Sequence, residues 1–409
     1  MKDFFKVTAL DKVLEYASGF SRVATETIPL DETLGRVLAT DIVSDVDLPE
    51  FMRSTMDGYA VRATSTFGAT EGNPAYLNVK GSVAMAESPE FNVGAGAAAR
   101  ISTGGMLPEG SDSVVMIEHT EPIDDTTIEV YRSVAPGQHI LEKGEDFKKG
   151  DVILSSGRKL RPQETGLLAA FGKTAVEVYK KPVVGIISTG DEIVPAGETP
   201  GPGQIRDINT HTLCGLVAEG GAIPVTYGIV KDDVDMLFQK CSQALSASDM
   251  VLISGGSSVG TRDFTIEILS SLPDAVILVH GIPISPGKPT ILAKAQNMAV
   301  WGLPGHVVSA MIVFDVVVRP FIEHIGGVDV ENKNEVGLSA LLSRNVSSTQ
   351  GRIDYVRVKL VEKDGTLRAE PILGKSGLIN TMVKADGLIE IGMNTEGLDK
   401  GTKVSVKLL

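Results

Sequence analysis

The stretch VVGIISTGDE, residues 183–192, decides the fold of this chain. An apolar run that ends in Gly-Asp-Glu is typical of a buried strand, here 183–188, followed by a tight polar loop. Further strands and helices alternate downstream, with strands expected at 223–229, 250–254, 275–280 and 299–303 and helices at 210–219, 234–245, 264–271 and 306–318. This alternation predicts an α/β domain, residues 179–328, built on a doubly wound parallel sheet with right-handed crossovers.

Three other regions have a different character. Short β-branched runs divided by Gly, Pro and Asp predict a β-rich domain at 46–155. Helical spacing predicts helices at 8–19, near 30–38 and at 162–172. Residues 332–409 are expected to form a small all-β module, with strands near 353–362, 366–371 and 402–409.

Composition excludes several classes of protein. The 409 residues carry 38 Lys and Arg against 52 Asp and Glu, a net charge of −14, which disfavours binding to nucleic acid. The two cysteines, Cys214 and Cys241, are too few for a disulfide framework and are expected as buried thiols in helices. The N-terminus lacks the apolar core of a signal peptide, and no uncharged apolar run reaches 18 residues. We therefore expect a cytoplasmic protein without a membrane span.

Polar loops follow the predicted strands of the α/β domain. Ligands of open parallel sheets bind beyond the carboxyl ends of the strands. Gly-Asp-Glu at 190–192, Lys-Asp-Asp at 231–233, SGGSSVG at 254–260, PGKP at 286–289 and LPGH at 303–306 all fall there or nearby. Glycines in these loops allow the backbone to approach a ligand closely, so the sequence predicts a site for a phosphorylated or oxyanionic ligand.

Carboxylates gather at the same edge, at Glu192, Asp232, Asp233 and Asp263 among others. Two carboxylates about 4 Å apart repel by roughly 4 kcal/mol at an effective dielectric of 20, so a hard cation would stabilise the cluster. Oxygen ligands with retained waters suit Mg²⁺ bound together with a phosphate. The alternative is that Asp232 and Asp233 only cap the next helix. Asn209 is the expected N-cap of the helix at 210–219.

Single charged and hydroxyl groups complete the candidate site. Lys288 in a proline-stiffened loop can hold an oxyanion as a point charge, or lie in solvent. In the β-rich region, Asp57 precedes a glycine in STMDGYA (54–60), where the alternative is a simple Asp-Gly hairpin. Thr103 lies beside two glycines in ISTGG (101–105), and Asp146 lies in a segment, 143–150, that is typical of a charged hairpin.

The order and wording of these motifs resemble the MoeA-type molybdopterin molybdenumtransferases, a family that includes the gephyrin E domain. The likeness covers essentially the whole chain, including KSGLINTMVKADGLI at 375–389. It implies four domains: a helical linking domain made of residues 1–45 and 156–178, the β-rich domain at 46–155, an α/β molybdopterin-binding domain at 179–328, and a C-terminal β-barrel domain at 329–409. It further implies an elongated homodimer, with the active cleft between the α/β domain of one subunit and the β-rich domain of the other. It also implies insertion of molybdate, or tungstate, into adenylylated molybdopterin with Mg²⁺-dependent release of AMP.

The resemblance assigns roles residue by residue. Matching positions imply catalytic roles for Asp57, Thr103, Glu192, Asp232, Asp263 and Lys288. The residues expected to bind Mg²⁺ are Asp146, Glu192, Asp232 and Asp263. The residues expected to bind the pterin or the oxyanion are Gly190, Gly255, Gly256, Ser258, Pro286, Gly287, Pro304, Gly305 and Ser309. His306 and Val307 depart from the family pattern, which usually has Asn and Pro there.

Two alternatives remain at this point. A molybdopterin adenylyltransferase-like enzyme would use the α/β domain alone, although residues 46–155 and 332–409 argue against it. A non-catalytic pterin carrier or assembly scaffold would bind ligand without chemistry. The resemblance further points to a molybdopterin adenylyltransferase and recipient molybdoenzymes as protein partners.

Overall fold

The computed structural model describes residues 7–255, 262–329 and 337–409, with the backbone alone at 262–264. Contacts between Cα atoms divide the chain into two compact units. The first comprises Met1–Thr40, Ser156–Gly166 and Thr174–Leu409, and the second Asp41–Ser155 and Leu167–Lys173.

A six-stranded sheet forms the centre of the first unit. Its strands lie in the order Ile223–Val230, Val183–Thr189, Met250–Gly255, Met298–Leu303, Ile291–Ala295, Val276–His280. The first four are mutually parallel. The strand Ile291–Ala295 was not predicted, and it runs antiparallel to both of its neighbours. The predicted parallel sheet is therefore confirmed over four strands and extended by an antiparallel pairing at one side.

Helices cover both faces of this sheet, which confirms the doubly wound prediction. Asn209–Glu219 packs through Leu213 on the face that carries Trp301, together with the helical segment that starts at Val307. Val234–Leu245 and Arg262–Ser271 pack on the opposite face against Ile253. Both apolar faces of the strands are buried because each faces a layer of helices.

The predicted helix at 306–318 is confirmed and is longer than expected. It runs without interruption as an α-helix Val307–Val313, a π-helical turn Phe314–Val318 and an α-helix Arg319–Ile325. Within the wider turn, Asp315 forms ion pairs with Arg319 at 3.0 Å and with Lys407 at 3.0 Å. The pair with Lys407 connects the helical segment to the last strand of the chain.

The C-terminal residues form the predicted β-barrel. Five strands close on themselves, since Ile353–Lys363 pairs with both Thr366–Pro371 and Gly387–Ile391, while Leu338–Leu342 and Lys403–Leu408 complete the circle. A short strand of the α/β region, Ile284–Ser285, adds to the barrel in parallel with Ile353 and Asp354. Strands Val346–Ser347 and Gly397–Leu398 and a helix Asn380–Val383 decorate it.

The N-terminal and linking segments contain less helix than predicted. The first helix is Leu10–Glu15, continued as a 3₁₀ turn to Gly19, and the third is Pro162–Ala170. The helix predicted near 30–38 is wrong, since only a 3₁₀ turn Leu30–Glu32 forms and Gly35 has a φ of +74°. Strands Thr25–Pro29 and Ala175–Tyr179 pair here in an antiparallel ribbon.

The second unit is β-rich, as predicted. Its main sheet has the strand order Ser113–Met116, Gly58–Val61, Ala97–Ile101, Ala75–Val83, Thr127–Val130, Thr120–Pro122. Smaller pairings join Ile42–Val43 to Val152–Leu154 and Arg53–Ser54 to Ile140–Leu141. The charged hairpin predicted at 143–150 is wrong, because this segment forms turns rather than paired strands. No helix in the described part of the chain is long and apolar enough to span a membrane.

Candidate functional site

A cavity of about 400 Å³ lies at the carboxyl ends of the parallel strands, and we call it the Asp232 cavity. Four predicted loops meet there and contribute Glu192, Asp232, Gly255 and Gly305 to its lining. Asp232 accepts a hydrogen bond from Thr189 Oγ1 at 3.1 Å. Asp233, by contrast, caps the helix Val234–Leu245 by accepting from the amide of Met236 at 2.8 Å. The capping alternative therefore holds for Asp233, whereas Asp232 faces the cavity.

Position 255, which lines this cavity, accepts only glycine. Its φ is +126°, and a Cβ atom there would lie 1.9 Å from the carbonyl oxygen of Thr189. The neighbouring strand therefore leaves no room for any other residue. Gly190 also has a positive φ and opens the loop that carries Glu192, although it does not itself line the cavity.

Two residues that line the Asp232 cavity, Asn209 and Asp207, were not predicted as site residues. Asn209 was predicted to cap its helix, and this is wrong, because the helix begins at Asn209 itself. Its side-chain amide donates to Ser254 Oγ at 2.6 Å and to the carbonyl of Gly305 at 2.8 Å. Asp207 takes the capping role instead, accepting from the amide of Thr210 at 3.1 Å. Asn209 thus ties together three loops of the cavity wall.

A second cavity of about 610 Å³ lies around Lys288, and we call it the Lys288 cavity. Five of the predicted loop residues line it, namely Pro286, Gly287, Lys288, Pro304 and Ser309. Lys288 is exposed and Ser309 is buried. Two proline-containing loops of the α/β region therefore form one side of the cavity, and Lys288 lies on that side.

The other side of the Lys288 cavity comes from the C-terminal barrel and was missed by the sequence. It includes Arg352 and Ser376. Arg352 forms an ion pair with Asp354 at 3.1 Å. Burial alone would raise the pKa of Asp354, but hydrogen bonds from Ser348 and Ser285 and the charge of Arg352 hold it below its ordinary value. A buried carboxylate thus holds the Nε side of the Arg352 guanidinium, and Arg352 lines the cavity.

His306 lies between the two cavities. Its Nδ1 is 2.8 Å from the hydroxyl of Ser376, and the amide of Val308 donates to the carbonyl of Ser376 at 3.0 Å. His306 lines both cavities, and it does so alone among the described residues. His306 therefore borders both cavities.

Two predicted residues of the second unit lie together. The Asp57 carboxylate accepts from the Thr103 amide at 2.7 Å and from the Thr103 hydroxyl at 3.2 Å. The simple Asp-Gly hairpin is wrong, since Gly58–Val61 pairs with two other strands. Gly58 is required there because a Cβ atom would lie 1.9 Å from the carbonyl oxygen of Val115. Asp146 is exposed in a turn, and its amide donates to Leu48.

Part of the predicted site lies outside the described residues. Gly256 and Ser258 belong to it, as does the side chain of Asp263. In the described ranges, no three His, Cys, Asp or Glu side chains are grouped so that they could hold a metal ion. The predicted metal ligands therefore stay a prediction, with Glu192 and Asp232 as the two that share a cavity.

Three family models match successive parts of the chain. The MoeA N-terminal region (domain I and II) matches residues 7–172, a probable molybdopterin binding domain matches 185–324, and the MoeA C-terminal region (domain IV) matches 339–409. Both cavities are lined mostly by residues of the second match, and Arg352 and Ser376 come from the third.

Individual relatives match along almost the full length. A putative molybdopterin biosynthesis protein of Methanocaldococcus jannaschii is 38% identical, with 98% of this chain and 95% of that protein covered. The molybdopterin molybdenumtransferase of Bacillus subtilis is 34% identical, with 94% and 90% covered. The crystal structure of the MoeA protein of Pyrococcus horikoshii is similar at a TM-score of 0.82 and 32% identity, with 99% and 100% covered.

Proposed function

This chain belongs to the MoeA family of molybdopterin molybdenumtransferases, and from that premise we propose that it inserts molybdate, or tungstate, into adenylylated molybdopterin with release of AMP. The family places it among the enzymes of molybdenum cofactor biosynthesis. The adenylylated form of the substrate, the divalent ion and the residue roles given below are parts of the proposal.

The observation that carries the proposal is the opposite charge of the two adjoining cavities. The lining of the Lys288 cavity includes Lys288 and Arg352 and, among the described residues, no carboxylate. The lining of the Asp232 cavity includes Glu192, Asp207 and Asp232 against one arginine. One cavity favours a small dianion, and the other favours a ligand that brings a cation with it.

The Lys288 cavity suits molybdate. Lys288 offers a point charge, and Arg352 offers a planar fork of N–H donors held in place by Asp354. Ser309 adds a hydroxyl donor. A tetrahedral oxyanion accepts hydrogen bonds in several directions, so a mixed lining of ammonium, guanidinium and hydroxyl groups fits its shape.

The Asp232 cavity suits the phosphate-bearing pterin. It lies at the carboxyl ends of parallel strands, where doubly wound sheets bind ligands. Glu192 and Asp232 are hard oxygen donors, and such donors fit Mg²⁺, which binds through one or two carboxylates together with substrate phosphates. Bound there, Mg²⁺ would neutralise phosphate charge as AMP leaves. Asn209 fixes the loops that surround this position.

The β-rich unit and the assembly complete the proposal. We assign Asp57 and Thr103 to the catalytic machinery because the carboxylate holds the Thr103 amide and hydroxyl in one orientation. Asp146 is assigned to the metal, together with Asp263. A homodimer is the proposed active form, and sedimentation of the purified chain at several concentrations tests it.

Release of AMP from adenylylated molybdopterin tests the function. We expect AMP release with Mg²⁺ that depends on molybdate or tungstate, and the oxyanion that supports the faster release identifies the preferred metal. Release without any oxyanion would instead indicate hydrolysis unconnected with insertion. Tight pterin binding with no release under any condition would overturn the transferase proposal in favour of a carrier.

A matched pair of variants tests the site. We expect E192A to abolish oxyanion-dependent AMP release while pterin remains bound, because Glu192 lines the Asp232 cavity. E198A is the control, since Glu198 is exposed six residues further along and does not line either cavity. Metal insertion at the wild-type rate by E192A, with pterin bound, would contradict the catalytic assignment.

A further inference from the structure

We propose that His306 contacts the oxyanion as it passes from the Lys288 cavity to the Asp232 cavity, and that Ser376 orients the imidazole for this contact. The inference rests on the proposed function, because it assumes that the two cavities hold the two substrates of one reaction. His306 would then determine how efficiently the bound oxyanion reaches the pterin, rather than how tightly it binds.

The first argument is position. His306 alone among the described residues lines both cavities, and its neighbours along the chain divide between them. Pro304 faces the Lys288 cavity, and Gly305 and Val307 face the Asp232 cavity. On the barrel side, Ser376 and Gly377 divide in the same way. The shortest route between the cavities therefore passes the His306 side chain.

The second argument is charge. An oxyanion that leaves the Lys288 cavity moves away from Lys288 and Arg352 and towards Glu192, Asp207 and Asp232, while Arg206 is the one cation in the lining it approaches. Coulomb repulsion opposes that move unless a donor compensates it along the way. The imidazole of His306 is exposed at the junction and carries ring nitrogens that can donate. His306 is therefore placed to donate a hydrogen bond to the oxyanion as it moves away from Lys288 and Arg352.

The third argument is orientation. The Ser376 hydroxyl lies 2.8 Å from Nδ1 of His306. When this hydroxyl donates to Nδ1, the proton of a neutral imidazole resides on Nε2, which becomes a donor for an anion. The backbone supports this arrangement, since the Val308 amide donates to the Ser376 carbonyl at 3.0 Å and fixes the two segments in register. A loop of the barrel thereby sets the tautomer of a side chain in the α/β region.

Two substitutions of similar bulk separate a hydrogen-bonding role from a merely space-filling one. His306→Gln keeps one acceptor for Ser376 and one donor for the anion, whereas His306→Leu fills the wall without either. His306 is exposed, so both variants are expected to fold with an unchanged melting temperature. Ser376→Ala tests the orienting hydroxyl, with the same direction of effect as H306L and a smaller size.

The measurements are molybdate binding by titration calorimetry on the full-length chain, pterin binding, and the single-turnover rate of AMP release with both substrates bound. We expect H306L to bind molybdate and pterin within about 3-fold of wild type and to lose about 10- to 100-fold in rate, as for a lost hydrogen bond to a charged group. H306Q should retain a rate within about 5-fold of wild type, which corresponds to less than about 1 kcal/mol.

Three results with the His306 variants would overturn the inference alone. H306L with the wild-type rate would show that His306 only fills the wall. H306L that loses molybdate affinity as much as rate would make His306 a ligand of the resting oxyanion. H306Q as slow as H306L would exclude the hydrogen-bonding role. Wild-type protein that shows no oxyanion-dependent AMP release would overturn the proposed function itself, and this inference with it.

Discussion

Glu164 is expected to contribute more to stability than any exposed ion pair, and Glu164→Gln tests this. The side chain is 4% exposed and lies against two arginines. Its Oε1 accepts from Arg158 at 2.7 Å and from Arg161 at 2.6 Å, and its Oε2 accepts from the Arg161 amide at 2.9 Å. Glutamine preserves the shape but turns an N–H₂ group towards the guanidinium groups.

The magnitude follows from the pKa. Hydrogen bonds from Arg161 and Arg158 lower the pKa of Glu164 from an ordinary 4.5 to about 2, although burial opposes them. Such a carboxylate would stabilise the folded state by about 3 kcal/mol at neutral pH. The Arg158 and Arg161 side chains are 49% and 56% exposed. Because solvent screens their charges, we expect Glu164 to stabilise the folded state by about 2 kcal/mol.

Thermal unfolding of the full chain measures the effect. We expect E164Q to lower the melting temperature at pH 7 by about 4 to 8 °C, from a loss of about 2 kcal/mol at 2 to 4 °C per kcal/mol. The folded pKa is below the unfolded one, so the stabilisation is complete above about pH 4.5 and is lost as the pH falls towards 2. The deficit of E164Q should therefore shrink below pH 4.5.

Glu219→Gln is the matched control. Its partner Arg319 lies 3.6 Å away and Glu219 is 61% exposed, so no resolved change is expected. An unchanged melting temperature for E164Q at pH 7, or a deficit that does not depend on pH, would refute the reasoning.

Three further predictions concern the Asp232 cavity and the thiols. Gly255→Ala should lower the melting temperature and weaken pterin binding more than tenfold, because its Cβ would lie 1.9 Å from the Thr189 carbonyl oxygen; wild-type pterin affinity would contradict it. Asn209→Ala should weaken pterin binding about tenfold and leave molybdate binding unchanged, as titration of each ligand would show, because it removes two hydrogen bonds of the cavity wall. Burial raises the pKa of Cys241 to about 12, so iodoacetamide should label Cys214 first and Cys241 only after unfolding, as mass spectrometry of the labelled peptides would show.

The alternation of strands and helices could be predicted from sequence where local pattern and burial agree. The helix Val234–Leu245 has the predicted bounds because Asp233 caps it and its apolar positions recur with helical period. The strand Ile291–Ala295 was missed because its turn is made of Gln296 and Asn297, both at positive φ, rather than of a glycine-containing pair. An alanine-rich strand with that turn gives no local signal.

The candidate site divides in a similar way. Glu192 and Asp232 were predicted to lie together because both follow parallel strands of one sheet, and they line one cavity. Arg352 and Ser376 were missed because they lie more than 60 residues beyond Lys288 in the chain, in a barrel whose docking no local pattern encodes. Asn209 was misassigned because the helix begins one residue earlier than predicted, which makes Asn209 its first residue, while its side-chain amide donates to two other loops.

The pairing of Ile284–Ser285 with Ile353 and Asp354 limits how far this protein can be treated as modular. The segment that carries Lys288 starts as a strand of the barrel, and the amide of Ile353 donates to the Pro283 carbonyl at 2.8 Å. A truncated fragment that ends before residue 337 would lose only Gly377 from the Asp232 cavity but would lose Arg352 and Ser376 from the Lys288 cavity. A chimaera with the barrel of a relative would, conversely, exchange that part of the Lys288 cavity while every strand of the six-stranded sheet stayed the same. If the two cavities bind the proposed ligands, recombination at that boundary would change the oxyanion site and leave the sheet that carries the pterin site unchanged.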